Sequence, residues 1–242
     1  MKGLSAIQTT QTTNPLMNAD LLVEMLDAHL TEREALSASR RTKRDKPYAY
    51  PSMIGDCMRK QVYKMCGYTE PVSSKLARIF DNGNKMHDRF QTYFTDMGFL
   101  APEDMEVPFI SHEHRVSGRM DGILRAPDGD WSAILELKSA NKRDYTKMQN
   151  TGPLPKHVVQ VMLYMALTPI KDSLILVECK DNQDVSIFPV AYVEAEGEKT
   201  LRRVQTLVEC ADARRLPPRE YEATSRECYW CYFKNLCTRN AI

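Results

Sequence analysis

Two short extended segments joined by a polar turn constrain this fold more than any other part of the sequence. The segments are Gly118 to Asp121 and Ile134 to Lys138, and the turn between them is Pro127 to Asp130. Their pattern predicts a β-hairpin whose second strand places Glu136 and Lys138 on one face and buries the neighbouring leucines on the other. Asp121 on the first strand would then lie close to this acidic and basic pair.

Two carboxylates and one ammonium at a sheet edge match the needs of metal-assisted phosphodiester hydrolysis. Asp121 and Glu136 can bind a hard divalent cation, which polarises a phosphate and lowers the pKa of a bound water. Lys138 can orient that water or stabilise the developing charge. The same short pattern also occurs in solvated hairpins with a surface salt bridge, so by itself it leaves both interpretations open.

Length and composition indicate an ordinary globular protein. The 242 residues can bury a sizeable core as one elaborated domain or two small ones, and 43% of them are hydrophobic. The net charge is only +1, so affinity for nucleic acid would depend on local basic patches. No apolar run matches a signal peptide or a membrane span, so we expect a cytoplasmic protein without a membrane partner.

Seven cysteines occur in a sequence without an export signal, which argues against a disulfide framework because cytosolic thiols stay reduced. Metal or cluster ligation is the competing explanation. Three cysteines with apolar or amphipathic neighbours are expected to be small buried residues, namely Cys66, Cys179 and Cys210. The other four are candidate ligands, namely Cys57, Cys228, Cys231 and Cys237.

Three helices are predicted before the hairpin. They begin near Asn18, Ser52 and Ser74, and the last two end near Met65 and Met97. The first carries an apolar stripe (Leu21, Leu22, Met25, Leu26 and Leu30) that would dock on the body of the protein or on a partner. The basic stretch Arg40 to Lys46 that follows is either a solvated linker or a phosphate-contacting arm. Cys57 would lie in the first turns of the second helix.

The third helix carries a polar face. Gly83, His87 and Gln91 are spaced by four residues and therefore share one side, where the glycine would let another backbone approach closely. A histidine in this position is either structural or a metal ligand.

The remaining sequence predicts more strands and helices. The expected strands are Glu103 to Ile110, His114 to Leu124, Trp131 to Ser139, Leu174 to Val177 and Val185 to Val193. The expected helices are Lys156 to Thr168 and Glu196 to Arg214. We expect Asn141 to Gly152 to be a loop near the active-site mouth. Gln160 and Tyr164 lie one turn apart, and the glutamine favours polar contacts at the site over a core role alone.

Six short motifs, in this order, resemble the RecB-like branch of the PD-(D/E)XK nuclease superfamily, and within it the CRISPR-associated exonuclease type that carries an iron-sulfur cluster. They are Asp56-Cys57-Met58-Arg59-Lys60, Gly83-x-x-x-His87, Gly118-x-x-Asp121, Glu136-Leu137-Lys138, Gln160-x-x-x-Tyr164 and Cys228-x-x-Cys231-x-x-x-x-x-Cys237. Each motif is short, but their collinear order makes the match specific. One departure is Met58, where family members often place proline.

The resemblance implies a restriction-endonuclease-like core of mixed α/β class, with a central mixed sheet flanked by helices. It also implies that Mg²⁺ or Mn²⁺ is bound by His87, Asp121 and Glu136, with the carbonyl oxygen of Leu137. A nitrogen ligand shifts preference toward manganese, so we expect manganese to support activity at least as well as magnesium.

Catalysis, by the same resemblance, would use Lys138 to position or deprotonate the attacking water. Gln160 and Tyr164 would orient that lysine or contact the DNA backbone. The implied activity is that of a metal-dependent DNase, an exonuclease on single-stranded DNA or DNA ends that could also have endonuclease activity.

The four candidate cysteine ligands would hold a structural [4Fe-4S] cluster. The implied domains are 1–46 (helix and basic linker), 47–70 with 215–242 (cluster subdomain) and 71–214 (nuclease core). Four thiolates are the required number, and Cys-x-x-Cys lets two sulfurs from one turn reach the same core. Zn²⁺ remains the alternative, because four thiolates suit it equally well.

Two other classes of function remain open. The chain could be a catalytically idle DNA-binding or adaptor subunit of a recombination or CRISPR-adaptation complex, or a zinc-bound structural protein. Homo-oligomers or partner proteins are compatible with each. Basic residues that could follow phosphates include Arg59, Lys60, Arg78, Lys85, Lys142, Arg143 and Lys147. Tyr229, Trp230 and Tyr232 either stack on bases or pack around the cluster, and we expect packing.

Overall fold

The structure, a computed structural model, describes residues 19–39, 47–127 and 129–242. The predicted Asn18 cap, the basic stretch Arg40 to Lys46 and Asp128 of the hairpin turn lie outside the described residues. The helices are α1 Ala19–Ser39, α2 Met58–Met65, α3 Ser74–Asp96, α4 Lys142–Thr151, α5 Pro155–Leu167, α6 Glu194–Asp212, α7 Arg226–Tyr229 and α8 Lys234–Thr238. The strands are β1 Met105–Ser111, β2 Val116–Arg125, β3 Ser132–Ala140, β4 Asp172–Cys179 and β5 Val185–Ala191.

The five strands form one mixed sheet in the order β1-β2-β3-β4-β5. The first three form an antiparallel meander, β4 runs parallel to β3, and β5 runs antiparallel to β4. A parallel neighbour needs a crossover connection, which α4 and α5 supply between β3 and β4. The structure confirms the predicted mixed α/β fold with a central mixed sheet and flanking helices.

Alternation along β3 divides the core between two sides of the sheet. Leu135 and Leu137 are fully buried in one cluster, which also contains Met86 and Phe90 of α3. Ile134 belongs to a second, larger cluster with residues of α5 and α6. Because neighbouring residues of a strand face opposite ways, α3 lies against one face of β3 and α5 against the other. Groups from both helices can therefore reach the same strand.

Residues of α1 form a compact unit with residues 71–82, and the described residues of 44–70 and 83–242 form a second unit. Within the first unit, Arg33 donates to both carboxylate oxygens of Asp81 at 3.0 Å, and Arg78 pairs with Asp27 at 2.5 Å. In the predicted apolar stripe of α1, Leu30 is buried and the other members are exposed. None of the helices in the described ranges is both long enough and apolar enough to cross a membrane.

The predicted start of the second helix is wrong. Pro51–Met53 forms a single 3-10 turn, and α2 begins only at Met58, so Cys57 occupies its N-cap position. The segment between them contains Gly55, where a Cβ would stand 2.5 Å from the Cα of Lys156. The chain passes the start of α5 at backbone distance here, which only glycine permits.

The predicted loop after β3 is also wrong, because most of it forms α4. The side chain of Asn141 accepts a hydrogen bond from the backbone N–H of Asp144 at 3.0 Å, which caps the helix. Tyr145 and Met148 are buried one turn apart, and Gly152 ends the helix with a φ of +82°. A polar helix with only two core side chains lacks the apolar periodicity on which the prediction depended.

Gly83 does not have its predicted role. Among the described residues, no atom lies within 4 Å of the position that a Cβ on Gly83 would occupy. Close approach occurs instead at Gly118, where a Cβ would lie 2.8 Å from Cδ of Pro51 and 3.0 Å from the hydroxyl of Tyr164. Gly118 therefore lets the 3-10 turn and α5 pack directly against β2.

Candidate active site

The hairpin opens where the candidate site begins. Backbone pairing between β2 and β3 ends at Gly122 opposite Leu135. Beyond that pair, the N–H of Leu137 donates to Oδ2 of Asp121 at 2.7 Å, so a side-chain carboxylate replaces the main-chain acceptor. Hydrogen bonds to charged acceptors are stronger than neutral ones. This bond fixes Asp121 at the point where the two strands separate.

The carboxylate of Glu136 is buried, with 1% of the side chain exposed, and both of its oxygens have partners. Lys138 forms an ion pair with Oε1, and Gln160 of α5 donates to Oε2 at 2.8 Å. Glu136 and Lys138 share a face of β3, as the alternation predicts. Because a buried charge is unfavourable without partners, these contacts hold Glu136 in one position.

Burial makes both carboxyl groups weaker acids than usual. It raises the pKa of Asp121 to about 6 and that of Glu136 to about 7, while the ammonium of Lys138 acts in the opposite direction. Burial acts to lower the pKa of Lys138, but the two carboxylates outweigh it and raise that pKa above its usual value. A divalent cation at this place would favour the deprotonated carboxylates over the protonated forms.

His87 and Glu106 lie beside Asp121. The Nδ1 atom of His87 is 3.5 Å from Oδ1 of Asp121 and 4.0 Å from Oε1 of Glu106. One possible ligand atom from each of the three residues lies within 4.8 Å of the other two. Burial lowers the pKa of His87, and the charge of Lys138 adds to this, so the imidazole is neutral at pH 7, the form that binds metal ions. These three side chains can hold a divalent cation.

Glu106 is the acidic residue that the sequence analysis missed. By the register of β1 on β2 it lies level with Asp121. Gln91 donates to Oε1 of Glu106 and to the main-chain oxygen of Asp121, both at 2.8 Å, and Arg119 forms an ion pair with Oε2. The φ angle of Glu106 is +49°, where residues other than glycine are uncommon. Strand register was the missing signal, and the sequence pattern of β1 does not determine it.

The structure brings the predicted residues together in two adjacent groups. His87 and Asp121 lie with Glu106, whereas the carboxylate of Glu136 lies outside that group of three and is held by the lysine and the glutamine. Leu137 joins the two groups, because it directly follows Glu136 and its N–H binds Asp121.

Tyr164 contacts the hairpin through the backbone. Its buried hydroxyl donates to the main-chain oxygen of Arg119 at 2.9 Å. Burial raises the pKa of Tyr164, so the hydroxyl stays protonated and remains a donor at neutral pH. Gln160 lies one turn earlier and binds Glu136, so α5 holds both strands of the opened hairpin.

A further imidazole of α5 lies near Lys138. Burial lowers the pKa of His157 to about 3, and the charges of Lys138 and Lys156 act in the same direction. The Nδ1 atom of His157 is buried and has no hydrogen-bond partner among the described residues. The sequence analysis did not select His157, although its spacing of three from Gln160 places it on the same side of the helix.

The four candidate cysteine ligands line one cavity of about 740 Å³. In the part of the chain that the structure describes, no three of their sulfur atoms lie within 4.8 Å of one another. The C-terminal segment is attached to α2 by hydrogen bonds. The N–H of Met58 donates to Glu220 at 2.6 Å, and Arg59 donates to the main-chain oxygen of Pro217 at 2.7 Å and to Asn240 at 2.9 Å.

Three aromatic side chains of this segment are exposed, and Trp230 also lines the cavity of the four cysteines, so their packing around a cluster stays a prediction. Tyr229, Trp230 and Tyr232 are 65%, 76% and 56% exposed. Phe233 is the ring that this segment buries, and it stacks on Tyr63 with ring centroids 5.2 Å apart.

A family model of the PD-(D/E)XK nuclease superfamily matches residues 25–238, which include the opened hairpin and all four candidate cysteine ligands. The chain belongs to the PD-(D/E)XK nuclease superfamily. PD-(D/E)XK nucleases use divalent metals, and the group of His87, Glu106 and Asp121 supplies a possible site for one.

Solved structures are similar to this PD-(D/E)XK protein at low sequence identity, and the first of them shares its fold. The crystal structure of SSO0001 has a TM-score of 0.59 and 15% identity, and the alignment covers 91% of this chain and 98% of that chain. An alkaline exonuclease from Laribacter hongkongensis, LHK-Exo, has a TM-score of 0.49 and 15% identity over 79% of this chain and 93% of its own. LHK-Exo in complex with dAMP has a TM-score of 0.46 and 16% identity, and the alignment covers 68% of this chain and 91% of that chain. No curated protein matches the chain significantly in sequence.

Proposed function

We propose that this superfamily member hydrolyses phosphodiester bonds of DNA with a divalent cation. The observation that carries the proposal is the opening of the hairpin, where Asp121 takes the place of a backbone acceptor and Glu136 is buried against Lys138. Burying a carboxylate costs its hydration, so buried carboxylates do not by themselves stabilise a fold. Their presence where the two strands separate therefore indicates a role other than stability. A cation site for phosphate chemistry supplies such a role.

His87, Asp121 and Glu136 are the proposed ligands, with the main-chain oxygen of Leu137, and Glu106 is a further candidate. A bound Mn²⁺ or Mg²⁺ would polarise the phosphate and lower the pKa of a water molecule. The donor set of one neutral imidazole and several carboxylates suits such an ion, and the imidazole favours manganese. We therefore expect manganese to support cleavage at least as well as magnesium.

Lys138 is the proposed catalytic lysine. Its raised pKa keeps it a cation at neutral pH, which favours a role in orienting the attacking water or stabilising charge on the phosphate over a role as general base. Gln160 acts as a positioning residue, because it binds the carboxylate that pairs with the lysine. Tyr164 supports the β2 side of the site through its bond to Arg119.

Single-stranded DNA or DNA ends are the proposed substrate, and exonucleolytic cleavage is the proposed mode. Both rest on the resemblance of the six collinear motifs to the CRISPR-associated exonucleases that carry an iron-sulfur cluster. The product ladder from an end-labelled substrate distinguishes stepwise removal of terminal nucleotides from internal cleavage.

The four cysteines are proposed to hold a [4Fe-4S] cluster that joins residues 47–70 to residues 215–242. Four thiolates can hold either a cluster or a Zn²⁺ ion, and the resemblance of the motifs to the exonucleases that carry an iron-sulfur cluster favours the cluster. The proposed role is structural, because the cluster would close a very long loop.

Cleavage of end-labelled single-stranded DNA in Mn²⁺ tests the nuclease. We expect the wild type to degrade the substrate, and Lys138→Ala to be at least about 100-fold slower. Lys199→Ala is the matched control, because Lys199 is 71% exposed on α6, and it should cleave like wild type. No cleavage by wild type, or equal rates for wild type and Lys138→Ala, would leave an idle DNA-binding subunit as the better account.

Anaerobic purification tests the cluster. We expect a brown protein that absorbs near about 400 nm, as thiolate-bound iron does. A colourless protein with one zinc ion per chain would contradict the cluster and leave the proposed nuclease unaffected.

A further inference from the structure

The C-terminal segment presents an aromatic patch to solvent, which we define as Tyr229, Trp230 and Tyr232. Trp230 is the most exposed of the three, at 76%. Large rings are usually buried, and a contiguous group of exposed rings indicates a binding surface. The rings of Tyr229 and Trp230 contact each other edge to face, with centroids 4.8 Å apart, so they present their faces in different directions.

Basic side chains lie beside the aromatic patch. The Nζ atom of Lys234 lies 5.5 Å from the ring centroid of Tyr229. Trp230 lines the same cavity as the four cysteines, and seven basic and four acidic side chains line that cavity with it. One of the acidic groups, Glu220, is paired with Arg203, and one of the basic groups, Lys60, is paired with Glu70, so the excess of three basic side chains remains. In a chain of net charge +1, this local excess of positive charge forms a surface that attracts phosphate.

The basic cavity extends to the start of α5. Lys147 of α4 and Lys156 of α5 both line it. Gln160 lies one turn after Lys156 on α5 and donates to Glu136, the partner of the proposed catalytic lysine, Lys138. A polyanion that occupies the cavity could therefore continue to the proposed cation site.

We propose that the aromatic patch and the basic cavity bind single-stranded DNA beside the cleavage site. A base stacks on Trp230, and Lys147 and Lys156 hold the phosphates between that base and the scissile bond. Exposed rings beside a cationic groove are typical of single-strand binding, because every base has a face that can stack. Paired bases in a duplex do not offer those faces. The inference rests on the proposed nuclease function and specifies its substrate.

The two tryptophans of the chain allow this contact to be observed directly. Full-length protein in EDTA, which prevents cleavage, is titrated with an oligothymidylate while tryptophan emission is recorded. In Trp131→Phe, which retains Trp230, we expect saturable quenching at wild-type affinity. In Trp230→Phe, which retains Trp131 and keeps a ring at position 230, we expect similar affinity without quenching. Quenching of Trp131 alone would overturn the proposal.

Affinity of single-residue variants gives the second test. By fluorescence anisotropy with a labelled oligothymidylate in EDTA, Trp230→Ala should bind about tenfold more weakly or worse, and the matched Trp131→Ala should bind like wild type. The melting temperature and iron content of Trp230→Ala are compared with those of the wild type, because a difference would show that the substitution damages the tail. In that case the quenching of Trp131→Phe and Trp230→Phe decides whether Trp230 contacts the DNA. Unchanged affinity in Trp230→Ala, or an equal loss with blunt duplex DNA, would overturn the proposal.

Failure of this inference is distinguishable from failure of the nuclease. If Trp230→Ala binds like wild type while wild type cleaves DNA in Mn²⁺ and Lys138→Ala does not, only the stacking surface is wrong. If wild type neither binds nor cleaves DNA, the proposed function itself is wrong, and the surface has no role as a substrate site.

Discussion

The opened hairpin and the cysteine tail differ in what holds them in place. In the hairpin, Asp121 and Glu136 are fixed by partners within the protein, namely a backbone N–H, a lysine and a glutamine. In the tail, α7 and α8 have only four and five residues, and no residue of these two described helices is buried. The proposed catalytic arrangement is therefore held by contacts within the protein, whereas the tail would depend on the proposed ligation of its cysteines.

The largest effect should follow from removing one charge of the hairpin. Asp121→Asn retains an oxygen that can accept the N–H of Leu137 but binds a cation poorly, so we expect cleavage to fall by about 10³-fold. The fold should persist, because burial already disfavours the charge on Asp121. Initial rates and melting curves measure the two effects. Asp88→Asn, at an exposed site on α3, should change neither.

The tail should show the opposite response to loss of a ligand. Cys231→Ser should remove the absorption of the cluster and destabilise the tail by about 3 kcal/mol, because cluster binding and folding of the tail are coupled. Limited trypsin digestion measures exposure of the tail. Cys66→Ser is the control, since a hydroxyl can replace the contact of Sγ with the main-chain oxygen of Ala211 at 3.7 Å. Equal protection of both variants would contradict a ligand-dependent tail.

A smaller loss should follow from removing the positioning residue. Gln160→Ala leaves Oε2 of Glu136 without its partner, and we expect the turnover rate to fall about 10- to 100-fold. The pH profile should shift as well, because the environment of the carboxyl changes. Gln205→Ala, on the exposed side of α6, serves as the control. An unchanged rate and pH profile would show that Gln160 has only a packing role.

Sequence reasoning selected the residues of the candidate site that lie in short motifs and missed those that depend on register. Alternation along β3 predicted the shared face of Glu136 and Lys138, because that pattern is local. The proximity of Glu106 to Asp121 depends on how β1 pairs with β2, which no single strand specifies. The exposure of Trp230 could not be predicted either, since it depends on how the tail packs against α2.

Glu106 gives a finer test within the hairpin. Glu106→Gln should weaken Mn²⁺ binding about tenfold, as measured by calorimetry, because it removes one of the two carboxylates grouped with His87. Glu106→Gly should weaken binding similarly without lowering stability, because glycine tolerates the φ angle of +49° at this position. If both variants bind Mn²⁺ like wild type, Glu106 is a structural partner of Arg119 and Gln91 and not a ligand.

The last test of the hairpin is a pH dependence of the metal-free protein. The folded-state pKa values of Asp121 and Glu136, about 6 and about 7, lie above their usual values of 3.8 and 4.5. Their contribution to stability is therefore present below pH 4 and is lost as the pH rises to about 7. Urea unfolding in EDTA measures it, and Asp121→Asn should reduce the slope. If the stability of the wild type rises between pH 4 and pH 7, the raised pKa values are wrong.

The location of manganese in crystals of the wild-type protein, found by anomalous scattering, tests the central claim most directly. The account predicts one strong peak beside the opened hairpin, bonded to His87, Asp121 and Glu136. A peak that contacts neither Asp121 nor Glu136, or no peak at that place in saturating Mn²⁺, would contradict it.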